Sequence, residues 1–475
     1  MQLTLRELTD QRIPKQSASA EEWDQWVTQR FAAVEQTDYS LWLDSAAFEH
    51  PNSRYHLLLK HPEYILSARE HTTTLSKVAK NTRLELACTD NSFIGAASQI
   101  HQQLQQQVEV NGDSSELPFC GGLAGLMGYD LGRQLERLPT LNAAEYATDD
   151  AVFGVYLNAL IIDKLEKRVF LLAPAEEFAE QQHAWLAPVS HQPESFKLTS
   201  SWQSNMSAQD YLARFDAVKA YLAAGDCYQI NLAQRFTAQY SGSEWLAYLR
   251  LRDSNRAPFS AFMRLPTSCL LSVSPERFIS VSATGYVETK PIKGTRPRST
   301  SPEQDDANRL ALAHAEKDRA ENLMIVDLLR NDLSKHCQAG SVKVPKLFAI
   351  ESFPAVHHLV STIEGQLKQQ SDTFLLWGGA FPGGSITGAP KVRAMEIIEE
   401  LEPHRRNAYC GSIGYVSISG ASDSSITIRT LVAERNTLHC WAGGGLVYDS
   451  NGQEEYQETF DKVARILPTL ESPHD

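Results

Sequence analysis

Short apolar runs rich in strand-forming residues set the strongest constraint on how this chain can fold. The runs at 55–59, 152–156 and 168–172 are of this kind, and their length and composition predict buried β-strands. Further strands are predicted at 161–162, 269–273, 278–281, 424–431 and 438–441. Helices do not alternate strictly with these strands, which disfavours a doubly wound parallel sheet. The pattern predicts an α+β fold with large mixed or antiparallel sheets.

Helices are predicted at 20–34, 94–109 and 208–224, the last from aromatic and aliphatic residues at helical spacing. Another helix is predicted to begin at Ser301, because a proline follows it and suits a first turn. Gln304 lies three residues after this serine, so the two are predicted to form a capping box.

A polar stretch with proline and serine at 189–206 predicts a crossover between two lobes, 1–198 and 199–475. A chain of 475 residues is long enough for two lobes or for one intertwined domain. The formal net charge of −14 disfavours a nucleic-acid binder, which would normally have a basic stripe. A small anionic substrate would need local cations or a metal ion to offset that field.

The seven cysteines are scattered and never form a Cys-x-x-Cys pair. Neither a disulfide framework nor a structural zinc site is therefore predicted. The N-terminus has early charges and lacks the apolar region of a signal peptide, and no apolar run approaches the ~20 residues of a membrane span. These features predict a protein of a reducing compartment, the cytoplasm.

Two acidic pairs have a spacing of three residues within helical flanks, Asp318 with Glu321 and Glu455 with Glu458. Residues three apart share one face of a helix. Either pair alone is compatible with a solvated helix face. If the two pairs converge, they offer Mg²⁺ the oxygen ligands that it prefers, and one or two direct carboxylates are sufficient.

A glycine-rich turn at 381–391 leads into a predicted helix that continues to Leu401. Free backbone N–H groups at such a helix start can bind an anion. Nucleotide binding is disfavoured, because Ala389 and Pro390 stand where a phosphate-binding loop needs Lys-Ser or Lys-Thr. The turn is either a carboxylate-binding loop or a simple strand-to-helix connection.

Lys293 lies between Ile292 and a glycine in a strand-like segment, and Glu276 precedes it in the run Ser274-Pro275-Glu276. Partial burial of the lysine would favour its neutral, nucleophilic amine. A buried Glu276 could act as a general acid or base. Taken alone, both side chains are also compatible with ordinary surface positions.

The order of these motifs resembles that of the chorismate-utilising enzymes. The resemblance is continuous from about 210 to 470, and it extends more loosely over 39–55 and 121–133. The matching segments are 291–295, 318–323, 326–332, 357–361, 384–391, 411–415, 428–429 and 442–445, with the terminal pair Glu455 and Glu458. So many motifs in one order identify the family more strongly than any single motif does.

The resemblance implies the fold of the anthranilate synthase large subunit. In that fold, large and mostly antiparallel sheets pack face to face, helices flank them, and two lobes are intertwined. It also implies chorismate as substrate and Mg²⁺ as cofactor, held by carboxylates among Asp318, Glu321, Glu455 and Glu458. The residues that it implies for positioning the substrate are His358, Gly384, Ser385, Thr387, Gly388, Tyr415, Arg429, Gly443, Gly444 and Lys462.

Lys293 separates branches of the family. Members that form anthranilate typically have alanine in this Pro-Ile-x-Gly-Thr position, whereas members that aminate chorismate at C4 have lysine, and the segment 225–234 is also similar to the latter. The resemblance implies that the Lys293 amine attacks C2 of chorismate while Glu276 protonates the leaving C4 hydroxyl. Ammonia then adds at C4 and expels the lysine. The product would be 4-amino-4-deoxychorismate, the precursor of p-aminobenzoate for folate synthesis.

The chain shows no glutaminase signature with a nucleophilic cysteine and no candidate lyase domain. The resemblance therefore implies a separate glutamine amidotransferase subunit that supplies ammonia. It also implies a separate lyase that takes the product and releases pyruvate from it.

A possible tryptophan pocket is implied by family members that bind tryptophan between their sheets. The matching residues are Ser45, Asn52, Ser53, Arg54, Tyr55, Pro258, Phe259 and Ser260. The alternative is a plain core without a pocket. Asp44 departs from the Glu-Ser pattern of feedback-inhibited members, which disfavours a regulatory role for any tryptophan bound here.

Three alternative functions remain open. An anthranilate synthase large subunit would use the same substrate, but Lys293 opposes it. An isochorismate or salicylate synthase would have its lysine base elsewhere and would work without a glutaminase. A catalytically inactive amino-acid-binding subunit is opposed by the intact catalytic and metal-site candidates Glu276, Lys293, Glu321 and Glu458.

Overall fold

Two large β-sheets and the helices around them make up the fold. The computed structural model describes residues 1–47, 50–79, 84–189, 192–352, 356–368 and 373–472. The helices in these ranges are α1 (Ala20–Ala32), α2 (Phe93–Gln107), α3 (Gly132–Leu135), α4 (Phe178–Leu186), α5 (Ala208–Ala224), α6 (Glu244–Asn255), α7 (Pro302–Ala313), α8 (Glu316–His336), α9 (Thr373–Ala380), α10 (Lys391–Leu401), α11 (Gly452–Asp461) and α12 (Leu467–Glu471).

The strands of the first part of the chain are β1 (Gln2–Glu7), β2 (Leu41–Asp44), β3 (Tyr55–Leu59), β4 (Tyr64–Arg69), β5 (Thr72–Lys77), β6 (Glu109–Asn111), β7 (Gly122–Met127), β8 (Ala151–Tyr156), β9 (Ala159–Asp163), β10 (Arg168–Pro174) and β11 (Lys197–Leu198). Those that follow are β12 (Gln203–Ser204), β13 (Gln229–Ser241), β14 (Phe259–Arg264), β15 (Ser268–Ser274), β16 (Arg277–Val281), β17 (Tyr286–Thr289), β18 (Ile292–Pro297), β19 (Lys343–Ser352), β20 (Val356–Gln366), β21 (Gly388–Ala389), β22 (Ser412–Ser417), β23 (Ser422–Ile426), β24 (Thr430–Glu434) and β25 (Thr437–Leu446).

The larger sheet has 14 strands in the order β11-β13-β25-β24-β15-β14-β2-β3-β9-β10-β1-β6, with β12 and β21 also paired to β13. The second sheet has 11 strands in the order β18-β20-β17-β16-β23-β22-β7-β8-β4-β5, with β19 also paired to β20. β1 and β6 run parallel. The other pairs are antiparallel. The predicted mostly antiparallel architecture is confirmed.

Alternation along the strands places the larger sheet between two cores. In β3, Leu57 and Leu59 belong to the core that both sheets share, and Leu58 belongs to the core on the opposite face. Successive strand residues point to opposite faces, so each sheet face is lined by alternate residues. Helices α1, α4, α6 and α12 cover the outer face of the larger sheet, and α2, α8 and α9 pack against the second sheet. Each buried leucine stabilises the fold by about 1.5–3 kcal/mol.

The two parts of the chain are intertwined, because each contributes strands to both sheets. In the larger sheet β2 pairs with β14 through Trp42 and Phe262. In the second sheet β7 pairs with β22 through Leu126 and Ile413. The described part of the predicted crossover at 189–206 contains β11 and β12, which pair with β13 instead of only linking two lobes.

Several predicted elements are confirmed with small shifts at their ends. Helix α5 has the predicted bounds, and the helices predicted at 20–34 and 94–109 are α1 and α2. Helix α7 begins after Ser301, whose hydroxyl accepts a hydrogen bond from the backbone N–H of Gln304 at 3.4 Å. The predicted capping box is only half formed, because the Gln304 amide donates to Asn308 at 2.9 Å instead of returning to Ser301.

The single strand predicted at 424–431 is wrong. β23 ends at Ile426 in the second sheet and β24 begins at Thr430 in the larger sheet. Arg429, with φ of 50°, lies in the connection between them. Strand-forming residues continue through this connection without interruption, so local composition cannot signal that the chain changes its pairing partners.

A buried network of charges joins helix α6 to the larger sheet. The carboxylate of Asp44, on β2, accepts hydrogen bonds from the Arg252 guanidinium at 2.6 Å and from the Tyr248 hydroxyl at 2.8 Å. His56 Nδ1 lies 3.1 Å from the same carboxylate. Arg252 also pairs with Asp24 of α1 at 2.5 Å, so one side chain ties two helices to the sheet.

In the described part of the chain, no helix is both long and apolar enough to cross a membrane.

Replacing Arg252 by methionine is expected to lower the free energy of unfolding by about 3–5 kcal/mol, because Asp44 would remain buried without its guanidinium. Urea denaturation of wild type and variant measures the difference. Arg12→Met is the matched control, because Arg12 forms an exposed ion pair with Asp10 and such pairs contribute little. Equal losses in the two variants would contradict the role of the buried network.

Candidate active site

A cavity of about 570 Å³ lies between β18, β25, α8, α11 and the loop at 384–387. Its volume is within the usual range for sites that bind small molecules. Eleven of the predicted site residues line it: Glu276, Lys293, Asp318, Glu321, His358, Ser385, Arg429, Gly443, Glu455, Glu458 and Lys462. Residues from both acidic pairs, the glycine-rich turn and the Lys293 segment therefore meet at one place.

Glu276, Ser385 and Lys293 form a connected group at one end of the cavity, called here the acid–amine end. The Ser385 hydroxyl donates a hydrogen bond to Glu276 Oε1 at 3.1 Å, and Lys293 Nζ lies 3.5 Å from the Ser385 carbonyl oxygen. Glu276 is buried, and Lys293 is partly buried on β18. A bulge in the pairing of β18 with β20 falls at Gly294, whose φ is 76°.

Burial raises the pKa of Glu276 to about 7. The ammonium of Lys293 and the hydrogen bond from Ser385 act in the opposite direction, and so do the more distant charges of Lys462 and Arg429. A carboxyl group with a pKa near neutrality can hold a proton and give it up during turnover, as general acid catalysis requires.

The two acidic pairs form what is called here the carboxylate cluster. Asp318 and Glu321 lie on α8, and Glu455 and Glu458 lie on α11. A methyl group added to Gly444 of β25 would lie 3.2 Å from Glu455 Oε2 and 3.3 Å from Glu458 Oε1. A glycine at that position therefore leaves the space into which both glutamates point.

Lysines lie against the carboxylate cluster. Lys317 Nζ is 3.3 Å from Glu455 Oε1, and Lys462 Nζ is 2.6 Å from Glu458 Oε1. Burial raises the pKa of Glu321; Lys293 and Lys317 oppose this rise, and the neighbouring carboxylate of Glu455 adds to it. The carboxylates, of which Glu455 is buried and the other three are partly buried, repel one another and would be stabilised by a cation.

The carboxylate cluster fits Mg²⁺ in its donor chemistry. Its donors are all carboxylate oxygens, which Mg²⁺ prefers, and the ion needs only one or two of them because it keeps several waters. Within the described ranges, no three His, Cys, Asp or Glu side chains are grouped closely enough to enclose a metal ion by themselves. The match to Mg²⁺ is therefore in the type of donor and not in a closed set of ligands.

Arg429 and His358 provide the other polar wall of the cavity. The connection between the two sheets carries Arg429 into the cavity, where burial lowers the pKa of its guanidinium. His358 Nδ1 lies 2.8 Å from the hydroxyl of Thr295. Burial, with the charge of Arg429, lowers the pKa of His358 to about 4. His358 is therefore neutral near pH 7, and Arg429 offers a cation to an anionic ligand.

Four predicted residues shape the cavity from behind its lining. A Cβ at Gly384 would lie 2.1 Å from Leu328, and one at Gly388, whose φ is 144°, would lie 2.2 Å from the Gln229 carbonyl oxygen. The Thr387 hydroxyl donates to the Gly383 carbonyl oxygen at 3.0 Å. With Gly444, these residues allow close packing, and they are not among the lining residues. The first turn of α10, at which the glycine-rich turn offers a possible anion site, does not line the cavity either.

The placement of Tyr415 in the substrate site is wrong. Tyr415 lies on β22 and lines a second cavity, where its ring packs edge-on against Phe119 at 5.8 Å. Strand β22 is in the centre of the second sheet, next to β7, so its side chains reach the space between the sheets instead of the carboxylate cluster.

Some lining residues were not predicted. They include Asn231, Thr295, Lys317, Tyr409 and Trp441. Trp441 and Tyr409 stack with ring centroids 6.0 Å apart. These residues come from five separate segments, and no local spacing connects them, so only long-range pairing reveals that they share a cavity.

The second cavity has a volume of about 330 Å³ and contains most of the predicted tryptophan pocket. Ser45, Asn52, Arg54, Tyr55, Pro258, Phe259 and Ser260 line it. Ser53 lies behind this lining, and its hydroxyl donates to the Pro258 carbonyl oxygen at 3.5 Å. Asp44 also borders the cavity, but its carboxylate is bound in the network with Arg252.

Comparison with known proteins gives consistent results. A family model described as chorismate binding enzyme matches residues 16–468. The chain is 50% identical over 443 residues to aminodeoxychorismate synthase component 1 of Escherichia coli, with 93% of this chain and 95% of that protein covered. It is 36% identical over 362 residues to anthranilate synthase component 1 of Thermus thermophilus, with 74% of this chain and 78% of that protein covered. The crystal structure of anthranilate synthase component I from Streptococcus pneumoniae aligns with a TM-score of 0.74 and 27% identity, with 88% of this chain and 93% of that chain covered.

A buried acid, an amine and a carboxylate cluster around one cavity define an enzyme site for a small molecule. The chain belongs to the chorismate binding enzyme family, because the family model spans nearly all of it. The resemblance inferred from the order of the motifs is confirmed, and so is the fold that it implied.

Replacing Lys293 by methionine is expected to raise the pKa of Glu276 further above 7, because the Lys293 charge is the strongest influence that lowers it. Infrared difference spectra of the carboxyl band as a function of pH, with Glu276→Gln as the reference, measure this pKa. Lys290→Met is the control, because Lys290 pairs with Glu351 at 3.7 Å instead. An unchanged Glu276 pKa in Lys293→Met would show that the two groups do not interact.

Proposed function

We propose that this chain is the large subunit of an aminodeoxychorismate synthase, which converts chorismate and ammonia into 4-amino-4-deoxychorismate and water. The observation that supports this most is the position of Lys293. Its amine lies next to Ser385, and the hydroxyl of Ser385 donates a hydrogen bond to Glu276 in the same cavity. The 50% identity to a component 1 of that name, across nearly the whole of both chains, supports the same function.

Chorismate has two carboxylates, which need cations in a chain of net charge −14. Arg429 provides one within the cavity, with neutral His358 beside it. Mg²⁺ would be held by carboxylates among Asp318, Glu321, Glu455 and Glu458. When bound, it would neutralise the ring carboxylate and draw electron density from the ring.

In the first step, Lys293 loses its ammonium proton to solvent, and the resulting neutral amine attacks C2 of the ring. The C2–N bond forms, both double bonds of the ring diene shift by one position, and the C4–O bond breaks. Glu276 gives its proton to the departing hydroxyl, which leaves as water. A pKa near 7 makes this glutamate protonated often enough to act as the acid. The result is a covalent adduct on Lys293 and a carboxylate at Glu276.

In the second step, ammonia attacks C4. The N–C4 bond forms, both ring double bonds shift back, and the electron pair of the C2–N bond returns to the Lys293 amine. The new ammonium then gives its extra proton to the Glu276 carboxylate, which restores both groups. Chorismate and ammonia have then become 4-amino-4-deoxychorismate and water.

Lys293 directs nitrogen to C4 because its amine occupies C2 while ammonia attacks. Without this amine, ammonia could add at C2 directly, which leads towards anthranilate. An anthranilate synthase large subunit is therefore the alternative function, and the 36% identical relative from Thermus thermophilus has that name. The lysine in the cavity favours amination at C4.

The reaction determines which partners are needed. Ammonia would come from a separate glutamine amidotransferase subunit, consistent with the term component 1 in the name of the relative. The product retains the enolpyruvyl group, so a separate lyase would release pyruvate to form p-aminobenzoate.

The seven cysteines are unpaired thiols, which supports a cytoplasmic location.

We further propose that the second cavity binds tryptophan as a structural ligand. Tyr55, Pro258 and Phe259 offer apolar walls, and Arg54 with Ser45 offers polar groups at the edge. The volume of about 330 Å³ is within the range for a small ligand. The engagement of Asp44 by Arg252 supports a structural role over a regulatory one.

Incubation of the purified chain with chorismate, Mg²⁺ and an ammonium salt at mildly alkaline pH is expected to yield 4-amino-4-deoxychorismate. Mass spectrometry identifies it, and added lyase should convert it into fluorescent p-aminobenzoate. A sample treated with EDTA, without added Mg²⁺, should give no product. Anthranilate as the main product would contradict the proposal and leave the family unchanged.

Lys293→Ala is expected to abolish a covalent adduct whose mass is that of chorismate less one water. Intact-protein mass spectrometry after incubation with chorismate and Mg²⁺, without ammonia, detects it. Lys290→Ala removes a nearby lysine that pairs with Glu351 and should keep the adduct. Full activity in Lys293→Ala would exclude the lysine as the nucleophile.

A further inference from the structure

Lys317 lines the catalytic cavity from α8, next to the carboxylate cluster. Its Nζ lies 3.3 Å from Glu455 Oε1 on α11, so one ion pair joins the two helices that hold the cluster. Burial lowers the pKa of this ammonium, but the charges of Glu455, Glu321 and Glu458 outweigh burial and raise it. Lys317 is therefore a shared counter-ion for three of the four carboxylates.

The orientation of Glu455 is set mainly by Ser450. The Ser450 hydroxyl donates a hydrogen bond to Glu455 Oε1 at 2.7 Å. The contact of Lys317 with the same oxygen is longer, and 52% of the lysine side chain is exposed. An ammonium on a flexible stem can leave such a contact for water at little cost in free energy. Lys317 therefore contributes positive charge to the cluster and little to its shape.

Lys462 also contacts the cluster, but it is held more firmly. Its Nζ lies 2.6 Å from Glu458 Oε1 and donates a hydrogen bond to the Gly443 carbonyl oxygen at 2.8 Å. This backbone carbonyl fixes the position of the Lys462 ammonium beside β25. Of the two lysines, Lys317 is the one that can move away from the cluster without losing a backbone contact.

A divalent cation bound by the cluster would meet the charge of Lys317. Glu455 Oε2 and Glu458 Oε1 face one space beside Gly444, 3.2 and 3.3 Å from the position of an added Cβ. An ion bound by Glu455 would share this carboxylate with Lys317, and the two cations would repel each other. Over a few ångströms, repulsion between a unit charge and a divalent ion weakens binding by about tenfold even at the dielectric constant of water.

We propose that Lys317 competes with Mg²⁺ for the carboxylate cluster. It lowers the affinity of the cluster for the ion, and it moves into solvent when the ion binds. The inference rests on the Mg²⁺ site of the proposed function. Because one cation is exchanged for another, the partly buried carboxylates keep a compensating charge throughout.

Titration calorimetry of the full chain with MgCl₂, in the absence of chorismate, tests the effect on affinity. Lys317→Met keeps the apolar stem and removes the charge, so the Kd for Mg²⁺ should fall about tenfold. Lys317→Arg keeps the charge and should keep a Kd close to that of wild type. If Lys317→Met fails to fold, Lys317→Gln is measured in the same way with the same expectation.

Lys335→Met is the matched control. Lys335 lies on the same helix, 52% of its side chain is exposed, and its Nζ is 3.3 Å from Asp332, so its ion pair has the same length and exposure as that of Lys317. Asp332 keeps a second partner, Lys391, at 2.9 Å. The Kd for Mg²⁺ should not change in Lys335→Met.

Acetylation of the wild-type chain by an N-hydroxysuccinimide ester, followed by peptide mass spectrometry, tests the movement. Added MgCl₂ should increase the labelling of Lys317, because its amine leaves the ion pair with Glu455. The labelling of Lys335 should stay the same. This readout does not depend on turnover.

Two results would overturn the inference while the Mg²⁺ site stands. One is unchanged or weaker Mg²⁺ binding in Lys317→Met, since the lysine would then be neutral towards the ion or would support its site. The other is tighter binding with unchanged Lys317 labelling in wild type, because the lysine would then stay in place.

A wild-type chain that binds no Mg²⁺ would reject the proposed cofactor, and the inference with it. Anthranilate as the product, together with tighter Mg²⁺ binding in Lys317→Met and the expected labelling, would reject the proposed function and leave the inference standing.

Discussion

Backbone pairing between distant parts of the chain is the interaction on which the rest of this structure depends. β2 pairs with β14 in the larger sheet, and β7 pairs with β22 in the second. Neither sheet can be completed by one part of the chain alone, so the two parts are bound to fold together. The connection from β23 to β24 crosses between these sheets and sets Arg429 at the cavity. The active site is thus a consequence of how the sheets are joined.

The catalytic cavity is lined by both carboxylates and cationic side chains, although the chain as a whole is acidic. Net charge is −14, yet Lys293, Lys317, Arg429 and Lys462 all line this one space. The three lysines interact with carboxylates of the cluster, and this pairing offsets part of the cost of burying the charges. The same burial raises the pKa of Glu276 to about 7. One desolvated environment therefore supports both anion binding and proton transfer.

Much of the local structure was predictable from the chain itself. Helix α5 has the predicted bounds, and both acidic pairs lie on helices as their spacing indicated. The prediction of one strand at 424–431 failed because two strands with different partners follow one another with no change in composition. The placement of Tyr415 failed for a related reason, since a motif gives its order along the chain but not the cavity that its side chain faces.

The sequence by itself determined the secondary structure of most segments and the family, and it singled out Lys293 and Glu276 as candidate catalytic residues. These depend on residue type, periodicity and motif order, which are local properties of the chain. Only the tertiary structure decided that Lys317 lies against Glu455 and that Tyr409 stacks on Trp441 in the wall of the cavity. The physical reason is that contact and burial depend on pairing between residues far apart in the chain, which local spacing does not specify.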